Sequence, residues 1–480
     1  MICLCLGEST LELDRELVEK NRDYIDMCEL RVDRLSSREQ KQAARFPAMV
    51  DIPVILTIRR VVDGGAFSQS ERTRKDLFLK ALEGDFAYID LEDDIKRNDV
   101  EEKARAKGVK IIRSLHDMEK VPEDIFSRVY HLAERGDIAK IAVRPNGFAD
   151  VMTLFRIKEE LKGVDKIIIG LGDYGVVTRI LYRLMGSMLT FASDNQVAPG
   201  QISARKLKVD YRADQVNEKT AVYGIIGNPV LNSASPLMHN RGFQSIRFNA
   251  IYVPFLVDDV RLFFSFAEQI RIRGFSVTVP FKVDVLSYLG NITREVKQIG
   301  SCNTVVRVPG MWKGINTDYY GFIRPIAREL DGGEISSALV IGAGGASHAI
   351  VWALRNRGVK VTILNRTLSH AEKIAKMNLC DYDTLDNAAK YAGKVDLIVQ
   401  TTSVGLYPNF DGNPIAGFPY TGKEIVYDII YKPRMTKVLQ EAENAGCRIH
   451  FGSEMLIEQG KLQFEAFTGY HYPDWVDPGL

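Results

Sequence analysis

The chain has 480 residues, 46% of them hydrophobic, and its 63 Lys and Arg against 62 Asp and Glu leave a net charge of +1. That length exceeds one ordinary hydrophobic core and predicts two or three domains, while the interspersed charge excludes the basic footprint of a nucleic-acid or anionic-membrane binder. No apolar run reaches the roughly 20 residues of a membrane span, Met1 leads without a cleavable leader into Ile2-Cys-Leu-Cys-Leu-Gly7, and the six scattered cysteines lack zinc spacing; a soluble cytoplasmic protein with reduced thiols and no metal is expected.

Apolar runs of β type recur at Ile2–Leu6, Ile25–Val32, Val54–Ile58, Ala87–Leu91, Val109–Leu115, Ile138–Val143, Lys166–Leu171 and Met188–Ala192, separated by segments of helical spacing. About eight such units in roughly 200 residues predict a (β/α)8 barrel. Charged residues interrupt the runs. Glu29 and Arg31 sit two apart and share one face of their strand. Arg59, His116 and Lys140 fall within or at the ends of three later strands. Charges in barrel strands are costly unless paired, and the C-terminal mouth is where such barrels keep their chemistry, so a convergent polar site is predicted. Lys140 is enclosed by apolar neighbours in Ala-Lys-Ile-Ala-Val; a lowered pKa is expected to make it a nucleophilic amine able to form a Schiff base with a ketone. His116 is the proton carrier of this reading. The arginines around the amine suggest a carboxylate substrate. The acidic run Asp90, Glu92, Asp93 and Asp94 has no histidine beside it and is assigned to a strand end and helix start, where carboxylates meet the positive end of a helix dipole.

Glu29-Leu-Arg-Val-Asp33, Thr57-Ile-Arg59 with Gly64-Gly65, Ser114-Leu-His116-Asp117, Lys140-Ile-Ala-Val and Ala198-Pro-Gly-Gln201, in that order, resemble the type I 3-dehydroquinate dehydratases over nearly all of residues 1–205. The resemblance implies Lys140 as the imine-forming residue and His116, paired with Glu29, as general acid and base in loss of water. It also implies Arg31, Arg59, Arg179 and Gln201 as substrate contacts. Asp63, Leu171 and Val197 depart from the family's usual Glu, Met and Ser.

The polar, charged stretch Ala204–Lys219 reads as a connector. The expected division is a barrel over 1–208, a linker over 209–220, a lobe over 221–320 to which 452–480 returns, and a nucleotide lobe over 321–451. In the second half, Ser233 and Ser235 lie two apart in an extended loop where both hydroxyls can face one pocket, with a helix cap as the competing role. A strand then ends in Val277-Thr-Val-Pro-Phe-Lys282, and Asn303-Thr and Asn316-Thr-Asp318 add hydrogen-bonding groups suited to a polyhydroxylated ligand. Ala338-Leu-Val-Ile-Gly342-Ala343-Gly344-Gly345-Ala346 is an apolar strand running into a glycine turn and a helix, the arrangement that seats a pyrophosphate. The next strand ends in Asn365-Arg366-Thr367, and Arg366 offers a cation for a 2′-phosphate, which argues for NADP over NAD. Met455 and Leu456, in the closing helical segment, are expected in the core.

Residues 221–472 resemble the shikimate dehydrogenases through Asn232-Ser-Ala-Ser-Pro, Val277-Thr-Val-Pro-Phe-Lys, Asn303-Thr, Asn316-Thr-Asp, Gly342-Ala-Gly-Gly, Asn365-Arg-Thr and Gly452-Ser-Glu-Met-Leu. The resemblance implies Lys282 and Asp318 as the catalytic pair, with Ser233, Ser235, Thr278, Asn303, Tyr431, Gln459 and Gln463 holding substrate. It adds Gly452 to the nucleotide contacts. Ser276 and His370 depart from the usual Asn and Arg. Together the halves predict a bifunctional enzyme that makes 3-dehydroshikimate from 3-dehydroquinate and reduces it to shikimate with NADPH. Two other readings are a quinate-preferring dehydrogenase using NAD, which Arg366 disfavours, and a metabolite-sensing regulator, which would have shed the chemistry residues that this chain retains.

Overall fold

The computed structural model describes residues 1–94, 99–194, 200–406 and 409–479. The eight apolar runs become β1 (Ile2–Cys5), β2 (Met27–Arg31), β3 (Val54–Thr57), β4 (Tyr88–Glu92), β5 (Lys110–Asp117), β6 (Ile138–Val143), β7 (Lys166–Gly170) and β8 (Thr190–Ala192). Successive strands pair in parallel from β1 to β7, and β8 returns beside β1. At the remaining seam, the Met188 N–H donates to the Lys166 carbonyl at 2.8 Å. This is the expected (β/α)8 barrel. Helices cover the strands outside, and Cys3, Met27, Ile55, Ile112, Ile138, Ile167 and Phe191 belong to one buried cluster with their neighbours; burial on both faces is why the runs read as continuously apolar rather than alternating.

The stretch 204–219 is not the loose connector its charges suggest. Ala204, Leu207, Tyr211, Ala213 and Val216 are buried, a helical turn spans Lys206–Asp210, and Lys208 pairs with Asp214 at 2.7 Å. Its apolar residues at 204, 207 and 211 keep a helical spacing that the intervening charges conceal.

The chain divides into two compact units, Met1–Ala221 with Asn249–Ile270, and Val222–Phe248 with Arg271–Leu480. The second half opens with β9 (Ala221–Gly227), whereas β10 (Ala250–Leu256) and the helix Val260–Gln269 belong to the first unit. In the second unit β11 (Gly274–Val277) runs parallel to β9 and antiparallel to the next paired strand. Within the second unit that sheet continues through β12 (Asn291–Ile292), β13 (Thr304–Val308) and β14 (Met311–Ile315), and the strands of this unit follow the order β9-β11-β13-β14-β12. A second sheet holds β15 (Ser337–Ile341), β16 (Lys360–Asn365), β17 (Asp381–Thr384), β18 (Leu397–Gln400), β19 (Ile425–Asp428) and β20 (Arg448–Phe451), all parallel, in the order β17-β16-β15-β18-β19-β20. Apolar clusters cover both of its faces. Strand order reverses at β15, so its C-terminal end is the switch point at which doubly wound sheets bind ligands. Met455 joins the core, as expected, on the closing helix Gly452–Thr468.

Candidate active sites

In the barrel, period-two alternation turns Glu29 and Arg31 to the same face of β2, and both are buried. Lys140, on β6, is likewise buried. Its Nζ lies 2.7 Å from Asp90 Oδ2 and 3.8 Å from Glu29 Oε1, with the Phe191 ring centroid 4.5 Å away. Asp90 also accepts from Ser114 Oγ at 2.6 Å and makes ionic contact with Arg59 Nη2 at 2.7 Å. Arg59 Nη1 donates to Glu92 Oε1 at 2.7 Å and to Ser114 Oγ at 3.2 Å, and Arg74 pairs with the other oxygen of Glu92. Asp90 and Glu92 are therefore the hub of this network, not the helix-dipole carboxylates expected. The signal was available, because Asp90 and Glu92 sit two apart on β4 as Glu29 and Arg31 do on β2. Among the described residues no group of His, Cys, Asp and Glu is arranged to hold a metal ion.

Burial opposes ionisation of Asp90, but Arg59 and Lys140 outweigh it and hold the carboxyl far below the usual range. His116, on β5 beside β6, is driven the other way. Burial first, then the charges of Arg59 and Lys140, push its pKa well below the ordinary value, with Asp90 opposing. The imidazole is thus neutral near pH 7 and fit to take up a proton. Its Nδ1 has no hydrogen-bond partner. The expected pairing of His116 with Glu29 is absent, since Glu29 instead accepts from Thr57 Oγ1 at 2.9 Å and from Cys5 Sγ at 3.0 Å.

Arg31 grips Asp33 through two bonds of 2.9 and 2.8 Å, and Asp33 in turn accepts from the backbone of Arg59 at 3.1 Å. Arg179 lies on the helix Gly172–Ile180, donates to the Phe191 carbonyl at 3.4 Å, and is lowered by burial to about 10. Gln201 precedes Ile202, which bridges to Ala192 at the end of β8. Ala198, Pro199 and Val197 lie outside the described residues.

In the second unit Lys282 Nζ lies 2.5 Å from Asp318 Oδ2. Asn303 Nδ2 donates to Asp318 Oδ1 at 2.8 Å, to Thr317 Oγ1 at 2.9 Å and to Gln459 Oε1 at 3.3 Å. Gln463 donates to the Asn303 carbonyl at 3.2 Å and to Thr304 Oγ1 at 3.0 Å, and accepts from Ser276 at 2.8 Å. Ser276 thus does bonding work from the departing position. Thr278 follows β11, whose Val277 N–H donates to the Asn303 carbonyl at 2.7 Å. Ser235 opens the helix Ser235–Ser245, and its N–H is taken by Ser233 Oγ at 3.2 Å. Burial raises the pKa of the Tyr431 hydroxyl, which bonds Ser233. The two serines and Tyr431 form one group, and Lys282, Asp318, Asn303, Gln459 and Gln463 form another.

At the end of β15, Gly342 has φ +110°, and a Cβ there would stand 2.6 Å from Thr401 Oγ1; only glycine suits both the conformation and the space. Gly344 caps the helix Gly345–Asn356, with its N–H donated to Ser347 Oγ at 3.1 Å. Ser347 is bonded in turn to Thr401 at 2.7 Å. Sequence reasoning missed Ser347 and Thr401, which brace the turn. Ala343, Gly345 and Ala346 are partly open and Gly344 is exposed, so the helix N-terminus is accessible to a pyrophosphate. Beyond β16, Asn365 Nδ2 ties back to the Thr367 carbonyl at 2.8 Å, while Arg366 and Thr367 are exposed. These residues fit NADP. Gly452 is buried, and a Cβ there would stand 2.3 Å from the Ile429 carbonyl oxygen, so a packing demand also accounts for this glycine.

The fold and geometry define a two-site enzyme, a barrel centred on a buried lysine joined to a nucleotide-dependent oxidoreductase. Family profiles match in the same order: type I 3-dehydroquinase over residues 2–218, shikimate dehydrogenase substrate binding domain over 225–305, and shikimate / quinate 5-dehydrogenase over 327–407. The chain is 33% identical over 503 residues to the bifunctional 3-dehydroquinate dehydratase/shikimate dehydrogenase, chloroplastic, of Arabidopsis thaliana, covering 98% of this chain and 82% of that one. It is 38% identical to a shikimate dehydrogenase (NADP(+)) of Caldanaerobacter subterraneus, over 53% of this chain and 94% of that one. The solved shikimate dehydrogenase of Aquifex aeolicus shares 34% identity at a TM-score of 0.50, over 54% of this chain and 96% of that one. The chain belongs to the family of bifunctional 3-dehydroquinate dehydratase/shikimate dehydrogenases. Among the described residues no helix is long and apolar enough to cross a membrane.

Proposed function

We propose that Lys140 and Lys282 are the two reactive centres, that the barrel dehydrates 3-dehydroquinate to 3-dehydroshikimate, and that the second unit reduces this product to shikimate with NADPH. The observation that carries the reading is Lys140 itself, a buried amine with Asp90, Glu29 and the neutral His116 around it. A ketone entering the barrel meets an amine nucleophile able to form an imine, which draws electrons from the adjacent carbon. The neutral His116 takes a proton from the Lys140 ammonium, the free amine attacks the carbonyl carbon, and His116 returns the proton to the carbinolamine hydroxyl, which leaves as water; Asp90 stabilises the protonated imine that results. His116 removes the proton beside the imine and returns one to the departing hydroxyl. Arg31, Arg59, Arg179 and Gln201 hold the carboxylate and hydroxyls of the substrate. Hydrolysis of the imine then releases product and restores Lys140.

NADPH, when bound at the glycine turn, supplies the hydride. Lys282, oriented by Asp318, donates the proton that turns the carbonyl oxygen into hydroxyl. Asn303, Gln459, Gln463, Thr278, Ser233, Ser235 and Tyr431 bind the ring substituents. Gly342 to Ala346 receive the pyrophosphate, Asn365, Arg366 and Thr367 receive the 2′-phosphate, and Gly452 borders the nucleotide. Six unpaired cysteines support a reducing compartment, and the cytoplasm is the location we assign.

The test of the barrel reaction is to mix the protein with 3-dehydroquinate and borohydride and map the modified peptide. The mechanism requires a stable adduct on Lys140. An unmodified Lys140 in an enzyme that turns over and loses no activity to borohydride removes the imine.

A further inference from the structure

Family boundary and structural boundary disagree over one segment. The substrate-binding profile of the dehydrogenase spans 225–305, yet Asn249–Ile270 lies in the same compact unit as the barrel. Asp258, in the turn between β10 and the helix Val260–Gln269, reaches two barrel helices with one carboxylate. Its Oδ2 accepts from the Phe148 N–H at 3.2 Å and from the Tyr174 hydroxyl at 3.1 Å. The helix Phe148–Glu160 begins after Gly147, which has no side chain with which to cap it. A Cβ on Gly147 would stand 2.8 Å from Asp258 Oδ2, so the glycine leaves room for a cap supplied from a distant part of the chain. Aromatic packing fixes the arrangement. The Phe148 ring lies 5.7 Å from Phe263 and 5.2 Å from Phe266, and Phe155 lies 4.9 Å from Phe266.

The two helices are not arbitrary ones. Phe148–Glu160 follows β6, the strand of Lys140, through the short loop 144–147, and Tyr174 stands on the helix Gly172–Ile180, which follows β7 and carries Arg179. Their N-terminal ends lie at the C-terminal ends of these strands, the face on which (β/α)8 barrels keep their active sites. We propose that Asp258 is a positioning residue for the dehydratase: a segment of the dehydrogenase sequence caps one helix of the barrel and ties it to the next, fixing the Lys140 strand end relative to the helix of Arg179. The proposal rests on the reading of Lys140 as the dehydratase nucleophile. It makes the barrel incomplete without sequence from the other activity, a physical reason for the two to share one chain.

The test uses the full chain and both half-reactions. Asp258→Ala should lower dehydratase kcat/KM about tenfold, the scale expected of a small misplacement of reacting groups, while reduction of 3-dehydroshikimate stays within about twofold of wild type. Asp258→Asn, whose amide oxygen can accept the same N–H, should retain most of the dehydratase rate. Gly147→Ala should also slow the dehydratase, and should do less harm in the Asp258→Ala background, where the carboxylate it strikes is gone. Unchanged dehydration by Asp258→Ala, equal loss of both activities, or an Asn variant no better than Ala would each overturn the proposal. Wild-type turnover in the same assays keeps the two readings apart. If the wild type leaves 3-dehydroquinate untouched, the reading of Lys140 falls and takes this one with it. Turnover with an indifferent Asp258→Ala overturns the brace alone.

Discussion

Replacing Asp90 with Asn keeps the side-chain volume and removes one charge from the centre of the barrel. Asp90 is fully enclosed and touches two cations, Lys140 and Arg59, each at 2.7 Å. At an effective dielectric of about 20, a charge pair at that distance attracts with about 6 kcal/mol before desolvation is charged against it. Breaking a buried pair by removing one partner costs about 3–5 kcal/mol net. Arg59 keeps Glu92, whereas Lys140 keeps only the more distant Glu29 at 3.8 Å. The variant should therefore lose about 3 kcal/mol of barrel stability in denaturant unfolding. Its dehydratase kcat should fall by about a hundredfold, because the protonated imine loses its counter-charge. Enone absorbance follows the dehydratase, and 3-dehydroshikimate reduction by the second unit reports whether the rest of the chain is intact. Dehydratase turnover and stability both at the wild-type level would refute the placing of Asp90 at the centre of the network.

The shift of His116 gives a stability prediction with a definite sign. Its folded pKa lies below the unfolded value of about 6.5, so on acidification the unfolded chain takes up a proton that the folded barrel refuses. Stability should fall as pH drops through about 6.5 toward 5, and His116→Gln should flatten that part of the curve in denaturant titrations at stepped pH. An unaltered pH profile would count against the neutral imidazole. Lys282→Met should lower kcat for 3-dehydroshikimate by about 10²- to 10⁴-fold while leaving NADPH binding, read by fluorescence titration, near wild type. Arg366→Ala, at an exposed position, should raise the KM for NADPH by about ten- to hundredfold and leave that for NADH unchanged; equal effects on both nucleotides would move the 2′-phosphate contact elsewhere.

The barrel was legible because burial on both faces leaves an uninterrupted apolar run, which marked all eight strands to within a few residues. The same logic made Glu29, Arg31 and Lys140 conspicuous, since a charge inside such a run needs partners. Asp90 interrupts its run as Glu29 and Lys140 do theirs, but it was misread together with Glu92 because the acids after them, Asp93 and Asp94, imitate a helix start. The glycine turn was legible from its flanking strand and helix, but Ser347 and Thr401, which brace it, come together only when β15 and β18 pair. Glu29 illustrates a different limit. Its place on β2 follows from periodicity, but the choice of Cys5 and Thr57 as partners over His116 is made by the registers of β1, β2 and β3. The allegiance of Asn249–Ile270 was invisible for the same reason, because nothing local in Asp258 indicates that its hydrogen-bond partners lie near residues 148 and 174.

The most direct test of the central claim is a single cuvette holding the purified protein, 3-dehydroquinate and NADPH, read at the absorbance of reduced nucleotide. Oxidation of NADPH with accumulation of shikimate is expected, abolished by Lys140→Ala and restored to that variant by adding 3-dehydroshikimate. NADPH consumption that persists in Lys140→Ala with 3-dehydroquinate as the only substrate, or none from either substrate with the wild-type chain, would contradict the claim.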